Sequence, residues 1–249
     1  MATPLIRFED VHMAFGRHKV LRGMDLTIYE GETITIIGGS GSGKSVTLKL
    51  LLGVLKPDRG RIFFENRDVT AMREKELIAM RKTIGMLFQG SALFDSLTVK
   101  ENVAYPLREH FDYSEEELDR RVRNKLNLVG LDGVEGVMPA DLSGGMKKRV
   151  GLARAIASDP KLILYDEPTT GLDPTNTHRI NHLIREMQTK LKITSIVVTH
   201  DMASAFEVSD RLALLKDGKI CFAGSVAETK ASKDVTVRQF IEGRMGEAP

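Results

Sequence analysis

Apolar and polar residues alternate along the first third of the chain, and this pattern predicts β-strands. The alternation has a period of two, which places successive side chains on opposite faces of a half-buried strand. The strand-like stretches are residues 5–8, 25–28, 33–37, 61–64 and 84–88. The first third is therefore predicted to be rich in β-structure.

The apolar spacing changes to a helical period between Thr98 and Ser158. Two segments there match the capping box, in which a Ser or Thr before a helix is followed three residues later by Glu. They are Thr98 with Glu101 and Ser114 with Glu117. This middle region is predicted to be a helical insert.

The last third returns to strands. Residues 162–165 and 195–198 are apolar on both faces, as strands of a covered parallel sheet must be. A long helix is predicted near residues 177–191, and Asp217-Gly218 between apolar runs indicates a hairpin. The pattern as a whole predicts an α/β core interrupted by a helical insert.

Composition narrows the function classes. A formal charge of +2 over 249 residues is too small to indicate nucleic acid as the main partner. No apolar run reaches the ~18 residues that span a bilayer, and the start of the chain shows no signal peptide. The single Cys221 excludes an internal disulfide and fits a reducing compartment.

One motif predicts phosphate binding. Residues 38–45 have the P-loop spacing G-x-x-x-x-G-K-[ST], between a predicted strand and a predicted helix. Glycines let backbone N–H groups converge on a polyphosphate, which the helix N-terminus also favours. Lys44 would reach the β- and γ-phosphates, and the Ser45 hydroxyl would ligate Mg²⁺. The predicted nucleotide-binding residues here are Gly38, Gly39, Ser40, Gly41, Ser42, Gly43, Lys44, Ser45 and Val46.

Two carboxylates end the apolar strand at residues 162–165. Asp166 can be delivered to the Mg²⁺ shell, and Glu167 can stand beside the γ-phosphate and polarise an attacking water. Standing alone, the pair would read as a solvated turn. Because it follows a P-loop by ~120 residues, we predict the catalytic role.

The segment Leu142-Ser143-Gly144-Gly145-Met146 precedes a helix-forming stretch and is also compatible with a simple N-cap and turn. With it, the chain resembles an ATP-binding-cassette (ABC) ATPase over nearly its whole length. In that family this signature binds the γ-phosphate of ATP held by the opposite subunit. The resemblance therefore implies that Ser143, Gly144 and Gly145 act on the nucleotide of a second copy, in a head-to-tail dimer.

The resemblance assigns four more positions. Gln89 matches the Q-loop, His200 the switch histidine, Asp173 the D-loop, and Phe15 the aromatic residue that stacks on adenine. It implies catalytic roles for Lys44, Glu167 and His200. It implies Mg²⁺ binding by Ser45, Gln89 and Asp166.

The implied fold is a P-loop NTPase core with a mainly parallel sheet, an N-terminal antiparallel β subdomain and an inserted α-helical subdomain. We expect a single domain over residues 1–243. Its core would comprise residues 1–90 and 160–243, and its helical subdomain residues 91–159. Residues 244–249 are predicted to be a flexible tail.

Met146 departs from the usual signature, which has Gln there. Together with residues 86–94 and 102–109, it is similar to the ATPase subunits of Mla-type phospholipid transporters. Those subunits work with a permease and a lipid-binding MCE-domain protein, so the resemblance implies a peripheral protein on the cytoplasmic face of a bacterial inner membrane. The residues after Gln89 would contact the permease, although Leu93, Phe94 and Leu97 could equally be subdomain core.

Three alternatives differ in class. A DNA-acting ABC ATPase would need a long coiled coil between P-loop and signature, whereas Lys44 and Ser143 are only ~100 residues apart without sustained heptads. An ABC transporter for other cargo, such as amino acids or lipoproteins, is separated from the lipid reading by the family resemblance alone. A P-loop GTPase or small-molecule kinase leaves the signature unexplained. The basic run Lys147-Lys148-Arg149 is predicted to face solvent or neighbouring phosphate rather than nucleic acid.

Overall fold

The structure, a computed structural model, describes residues 3–243. The predicted flexible tail, residues 244–249, lies outside the described residues. The elements in chain order are β1 (Pro4–Phe15), β2 (His18–Tyr29), β3 (Thr33–Ile37), α1 (Lys44–Leu51), β4 (Arg59–Phe64), β5 (Arg67–Asp68), α2 (Glu74–Arg81), β6 (Ile84–Leu87), α3 (Val99–His110), α4 (Glu115–Leu128), α5 (Gly144–Ala155), β7 (Leu162–Asp166), α6 (Pro174–Leu191), β8 (Thr194–Thr199), α7 (Met202–Val208), β9 (Arg211–Lys216), β10 (Lys219–Ser225), α8 (Val226–Ala231) and α9 (Val235–Ile241).

The described chain forms two compact units. The first comprises the residues up to Leu77 and those from Ile196 onward, and the second runs from Ile78 to Ser195. The chain passes from the second unit to the first within β8. The predicted boundaries at residues 90, 91, 159 and 160 remain a prediction.

The first unit contains an antiparallel sheet and part of a parallel one. β1 pairs with β2 and with β4, which gives the strand order β2-β1-β4-β5. β3 is buried at all five positions and pairs in parallel with β9, while β9 and β10 form the predicted hairpin. In its turn Asp217 and Gly218 both have positive φ, as a type I′ turn requires. Helices α7, α8 and α9 cover a core cluster around Ile37, Leu212 and Leu214.

In the second unit β6 pairs in parallel with β7, and α5 packs against α3, α4, α6 and β6. A Cβ on Gly85 would lie 2.1 Å from the Ala155 carbonyl oxygen, so glycine is what allows β6 to approach the end of α5. The observed elements confirm the predicted α/β class, with an antiparallel N-terminal sheet and an inserted helical region. No helix among residues 3–243 combines the length and apolar character that crossing a bilayer requires.

The two predicted capping boxes differ. Thr98 and Glu101 exchange both bonds of the box at the start of α3. Ser114 accepts from the backbone N–H of Glu117 as predicted, but the Glu117 carboxylate accepts from Arg120 and Arg121 instead of reaching back. The guanidinium partners offer charge-assisted bonds, which compete with the cap.

Candidate functional site

The P-loop joins β3 to α1 in the first unit, and two of its glycines are required sterically. A Cβ on Gly43 would lie 2.8 Å from Cγ1 of Val20, and Gly43 has a φ of +106°. A Cβ on Gly38 would lie 2.5 Å from the Leu215 carbonyl oxygen. Larger residues at these two positions would force the loop away from the strands that hold it.

The donors of this loop fit a polyphosphate. The side chain of Lys44 is buried, and its Nζ donates to the carbonyl oxygens of Gly38 (2.8 Å) and Gly39 (3.1 Å). Gly43 has no side chain to cap the N-terminus of α1, where a bound anion is favoured. The Ser42 hydroxyl is buried without a hydrogen-bond partner among the described residues. Such an arrangement suits the phosphate oxygens of a nucleotide.

Two other predicted residues belong to the first unit. Phe15 ends β1, and 49% of its surface is exposed, so its ring is accessible for stacking. His200 follows the buried strand β8 directly and is exposed.

In the second unit, β7 ends at Asp166, and Glu167 is the next residue. Both are half-buried. Glu167 has a φ of +49°, a left-handed conformation that is unusual for a residue other than glycine. Its Oε2 accepts from the Thr170 hydroxyl at 3.2 Å. Packing therefore holds this carboxylate in a costly backbone geometry, a feature found more often at functional sites.

The signature segment forms the N-terminus of α5. Ser143 is the N-cap, and its Oγ accepts from the backbone N–H of Met146 at 3.3 Å. Ser143 and Gly144 are exposed, whereas Gly145 is buried. The cap that sequence reasoning gave as the plain alternative is thus present, and it leaves the serine accessible.

Asp173 is connected to the signature segment by the side chain of Asn176. Asp173 is the N-cap of α6, and its carboxylate accepts from the backbone N–H of Asn176 at 3.0 Å and from the Asn176 amide at 2.5 Å. The hydrogen bonds from Asn176 lower the pKa of the Asp173 carboxyl group. The Asn176 side chain in turn packs against Gly145, which joins the predicted D-loop to the signature.

Sequence reasoning missed the role of the basic run. Lys148 and Arg149 are buried, so the expectation that the run faces solvent or phosphate was wrong for these two residues. The Nζ of Lys148 donates to the carbonyl oxygens of Gln89 (2.5 Å) and Glu167 (3.2 Å). Burial lowers the pKa of Lys148, while the charges of Asp166 and Glu167 oppose that shift. The only signal in the sequence was the position of a basic residue within a predicted helix.

Gln89 follows β6 and is exposed. Beyond it, Ser91 and Ala92 both have positive φ, and their carbonyl oxygens accept from the Arg154 guanidinium at 2.8 Å each. The next turn is tied by the fully buried Asn102. Its amide accepts from the Phe94 N–H (2.8 Å) and donates to the carbonyl oxygens of Phe94 (3.1 Å), Leu97 (3.0 Å) and Thr98 (3.0 Å).

An open apolar groove lies beside this segment, with a volume of about 440 Å³. Phe94 and Tyr105 line it with their ring centroids 4.7 Å apart, and both rings are about 40% exposed. Phe88 adds a third half-exposed aromatic ring, and Arg81 and Arg154 supply positive charge at the lining. Phe94 therefore lines an accessible surface and is not part of the subdomain core.

The predicted metal ligands provide oxygen donors. Mg²⁺ is usually held by one or two carboxylates together with substrate phosphates. The Ser45 hydroxyl lies in the first unit, and the Gln89 amide and Asp166 carboxylate lie in the second. Each of the three side chains is by its own chemistry a suitable hard ligand for this ion.

Comparison with known proteins finds a matching family and similar relatives. Residues 21–170 match the ABC transporter family. The chain is 41% identical over 239 residues to the intermembrane phospholipid transport system ATP-binding protein MlaF of Escherichia coli K12, covering 96% of this chain and 89% of MlaF. It is 42% identical over 231 residues to the probable ribonucleotide transport ATP-binding protein mkl of Mycobacterium tuberculosis H37Rv, covering 93% of this chain and 64% of mkl.

A solved structure shares the fold. The dimeric post-hydrolysis state of the ATP-binding cassette MJ0796, bound to ADP and Pi, superposes with a TM-score of 0.81 at 33% identity and covers 89% of this chain and 98% of that one. The family match extends over more than half of the chain, and the MlaF match over nearly all of it. The chain therefore belongs to the ABC transporter family, as an ATP-binding cassette ATPase.

Proposed function

We propose that this chain is the ATP-hydrolysing subunit of an ABC transporter that moves phospholipid, acting through a permease and an MCE-domain protein. The single observation that supports the cargo is the 41% identity to MlaF over 96% of the chain. The complex would place the chain peripherally on the cytoplasmic face of a bacterial inner membrane.

ATP would be held between two copies arranged head to tail. Lys44 and the P-loop amides of one copy would bind the phosphates, and Phe15 would stack on the adenine. The exposed Ser143 and Gly144 of the other copy would complete the site, with the positive end of the α5 dipole directed at the γ-phosphate. The dimeric cassette MJ0796, bound to ADP and Pi, supports dimerisation of this chain.

Hydrolysis would depend on groups after β7 and β8. Glu167 would orient or activate water, and His200 would stabilise the γ-phosphate. Ser45, Gln89 and Asp166 would hold Mg²⁺, which supplies charge neutralisation at the phosphates when bound. Asp173, held by Asn176, would position the segment beside the signature.

The permease would dock at the groove lined by Phe94 and Tyr105. Half-exposed aromatic rings around a concave apolar surface are typical of interaction sites. Because Gln89 lies a few residues before Phe94, docking there could be communicated to the nucleotide site along a short stretch of chain.

A second cargo has specific support. The relative mkl, whose name describes probable ribonucleotide transport, is 42% identical to this chain. The cassette itself touches no cargo, so its own residues do not separate the two readings. A DNA-acting ATPase is less well supported, because the helices between Lys44 and Ser143 are at most 14 residues long.

The hydrolytic proposal is tested with Glu167→Gln. The variant should bind ATP, lose turnover by at least about 100-fold and accumulate as an ATP-bound dimer, since only the proton acceptor is removed. Phosphate release and size-exclusion chromatography with ATP measure these effects, with the exposed Glu116→Gln as the control. Near-normal ATP turnover by Glu167→Gln would contradict the proposed role of Glu167.

The cargo proposal is tested by capturing the tagged chain from its native membrane in mild detergent. Recovery of an MCE-domain protein with a permease supports phospholipid transport. Recovery of a permease for nucleotides or amino acids, without an MCE-domain protein, would replace it.

A further inference from the structure

Lys148 connects three segments that are far apart in sequence. It lies in the second turn of α5, five residues after Ser143, and only 4% of its surface is exposed. Its ammonium group donates to the carbonyl oxygen of Gln89, 59 residues away, and to that of Glu167, 19 residues away. The buried ammonium group of Lys148 therefore connects α5 to the residues that follow β6 and β7.

The two accepting carbonyls belong to residues with proposed roles at the nucleotide, since Gln89 would help to hold Mg²⁺ and Glu167 would orient or activate water. The Glu167 carbonyl oxygen also accepts from the Thr170 N–H at 3.3 Å, and the Glu167 backbone has a φ of +49°. A movement of the Lys148 ammonium would rotate this peptide. The carbonyl carbon and the Cβ of Glu167 are both bonded to its Cα, so a displacement of this backbone segment would also displace the Glu167 carboxylate.

Among residues 3–243, the neighbours of Lys148 make no such connection. Arg149 is also buried, but its guanidinium donates to the carbonyl oxygens of Gly130 (2.7 Å) and Val129 (3.4 Å), at the end of α4. Lys147 is half-exposed. In the described part of the chain, Lys148 is the one of these three consecutive basic residues whose side chain contacts residues of the proposed hydrolytic site.

We propose that Lys148 is a positioning residue that couples the two hydrolysis sites of a dimer. This inference rests on the proposed function, in which Ser143 serves the ATP of the other copy while Gln89 and Glu167 serve the ATP of their own. Engagement of Ser143 by one nucleotide would shift α5. Lys148 would pass that shift to Gln89 and Glu167 at the other nucleotide.

The test compares Lys148→Met with Lys148→Arg in the purified full-length chain. Phosphate release is measured across ATP concentrations to give kcat, the half-saturating ATP concentration and the Hill coefficient. For Lys148→Met we expect kcat to fall about tenfold and the Hill coefficient to fall from above one to one, with half-saturation within about twofold of the unsubstituted chain. Lys148→Arg keeps a charged donor and should retain most of both.

Two controls separate coupling from packing. Lys147→Met should behave as the unsubstituted chain. Arg149→Met should lower the unfolding temperature because it leaves two carbonyls at the end of α4 without their donor, yet keep the Hill coefficient. Circular dichroism and thermal unfolding of every variant show which ones remain folded.

The coupling is overturned if Lys148→Met stays cooperative, if Arg149→Met loses cooperativity equally, or if the unsubstituted chain has a Hill coefficient of one. ATP-dependent dimerisation of Glu167→Gln is measured alongside. If that variant forms no dimer, the proposed function fails; if it forms one and Lys148→Met remains cooperative, only the role of Lys148 fails.

Discussion

The Oδ1 atom of Asn176 lies 2.2 Å from the position that a Cβ on Gly145 would occupy. Any side chain at residue 145 would therefore overlap the amide that Asp173 holds in place. The N-termini of α5 and α6 pack at this point with no room for a methyl group. The absence of a side chain at Gly145 thus allows the signature and the D-loop to pack closely against each other.

Gly145→Ala should therefore destabilise the fold, by about 1–3 kcal/mol as for other overpacked sites, and lower the unfolding temperature by several degrees. Gly144→Ala is the matched control, because its Cβ would meet nothing closer than Leu172 Cδ2 at 3.8 Å. Differential scanning fluorimetry compares the two. Equal unfolding temperatures would show that Asn176 moves aside at little cost.

Lys44→Ala should weaken nucleotide binding by at least about tenfold, because it removes a buried cation that lies among the P-loop carbonyls. Lys49→Ala, on the exposed side of the same helix, should change binding by less than about twofold. Titration with a fluorescent ATP analogue measures both. Comparable affinities for the two variants would argue against phosphate contact by Lys44.

Asn102→Asp should destabilise the chain by about 2–4 kcal/mol, since an oxygen would replace the Nδ2 donor that faces three carbonyl oxygens. The isosteric control is Asn124→Asp on the exposed surface of α4, for which we expect a change of about 0.5 kcal/mol or less. Urea denaturation gives both free energies. A small loss at residue 102 would mean that water replaces the missing donor.

Arg154→Met should separate permease docking from nucleotide binding. The substitution leaves the carbonyl oxygens of Ser91 and Ala92 without their donor and removes the guanidinium beside the Phe94 ring. We expect about tenfold less permease in a membrane pull-down, with ATP affinity within about twofold. Arg123→Met, an exposed change on α4, serves as the control. Parallel loss of both activities would assign Arg154 to general stability.

Local signals in the sequence predicted much of the fold. The Asp217-Gly218 turn, the Thr98 capping box and the strands β7 and β8, apolar on both faces, each depend on neighbouring residues, and each forms as expected. The short helices α2, α7, α8 and α9 were missed. Helices of six to eight residues are marginal by themselves and are stabilised by tertiary packing, which leaves little local trace.

The hydrogen bonds that hold the candidate site together could not be predicted for a related reason. Lys148 reaches carbonyls 59 and 19 residues away, and Arg154 reaches carbonyls more than 60 residues away. Whether a basic side chain on a helix faces water or a backbone oxygen depends on which loops lie over that helix. The motifs identified the candidate residues, whereas the contacts that hold them became visible only in the folded chain.

The positive φ of Glu167 has an evolutionary consequence. A left-handed backbone costs least for glycine and little for asparagine, so replacing this glutamate with either would relieve the main chain. Selection for stability alone therefore does not preserve the residue proposed to activate water. A gene copy freed from the need for turnover could drift toward a silent, well-folded subunit that still assembles with its partners.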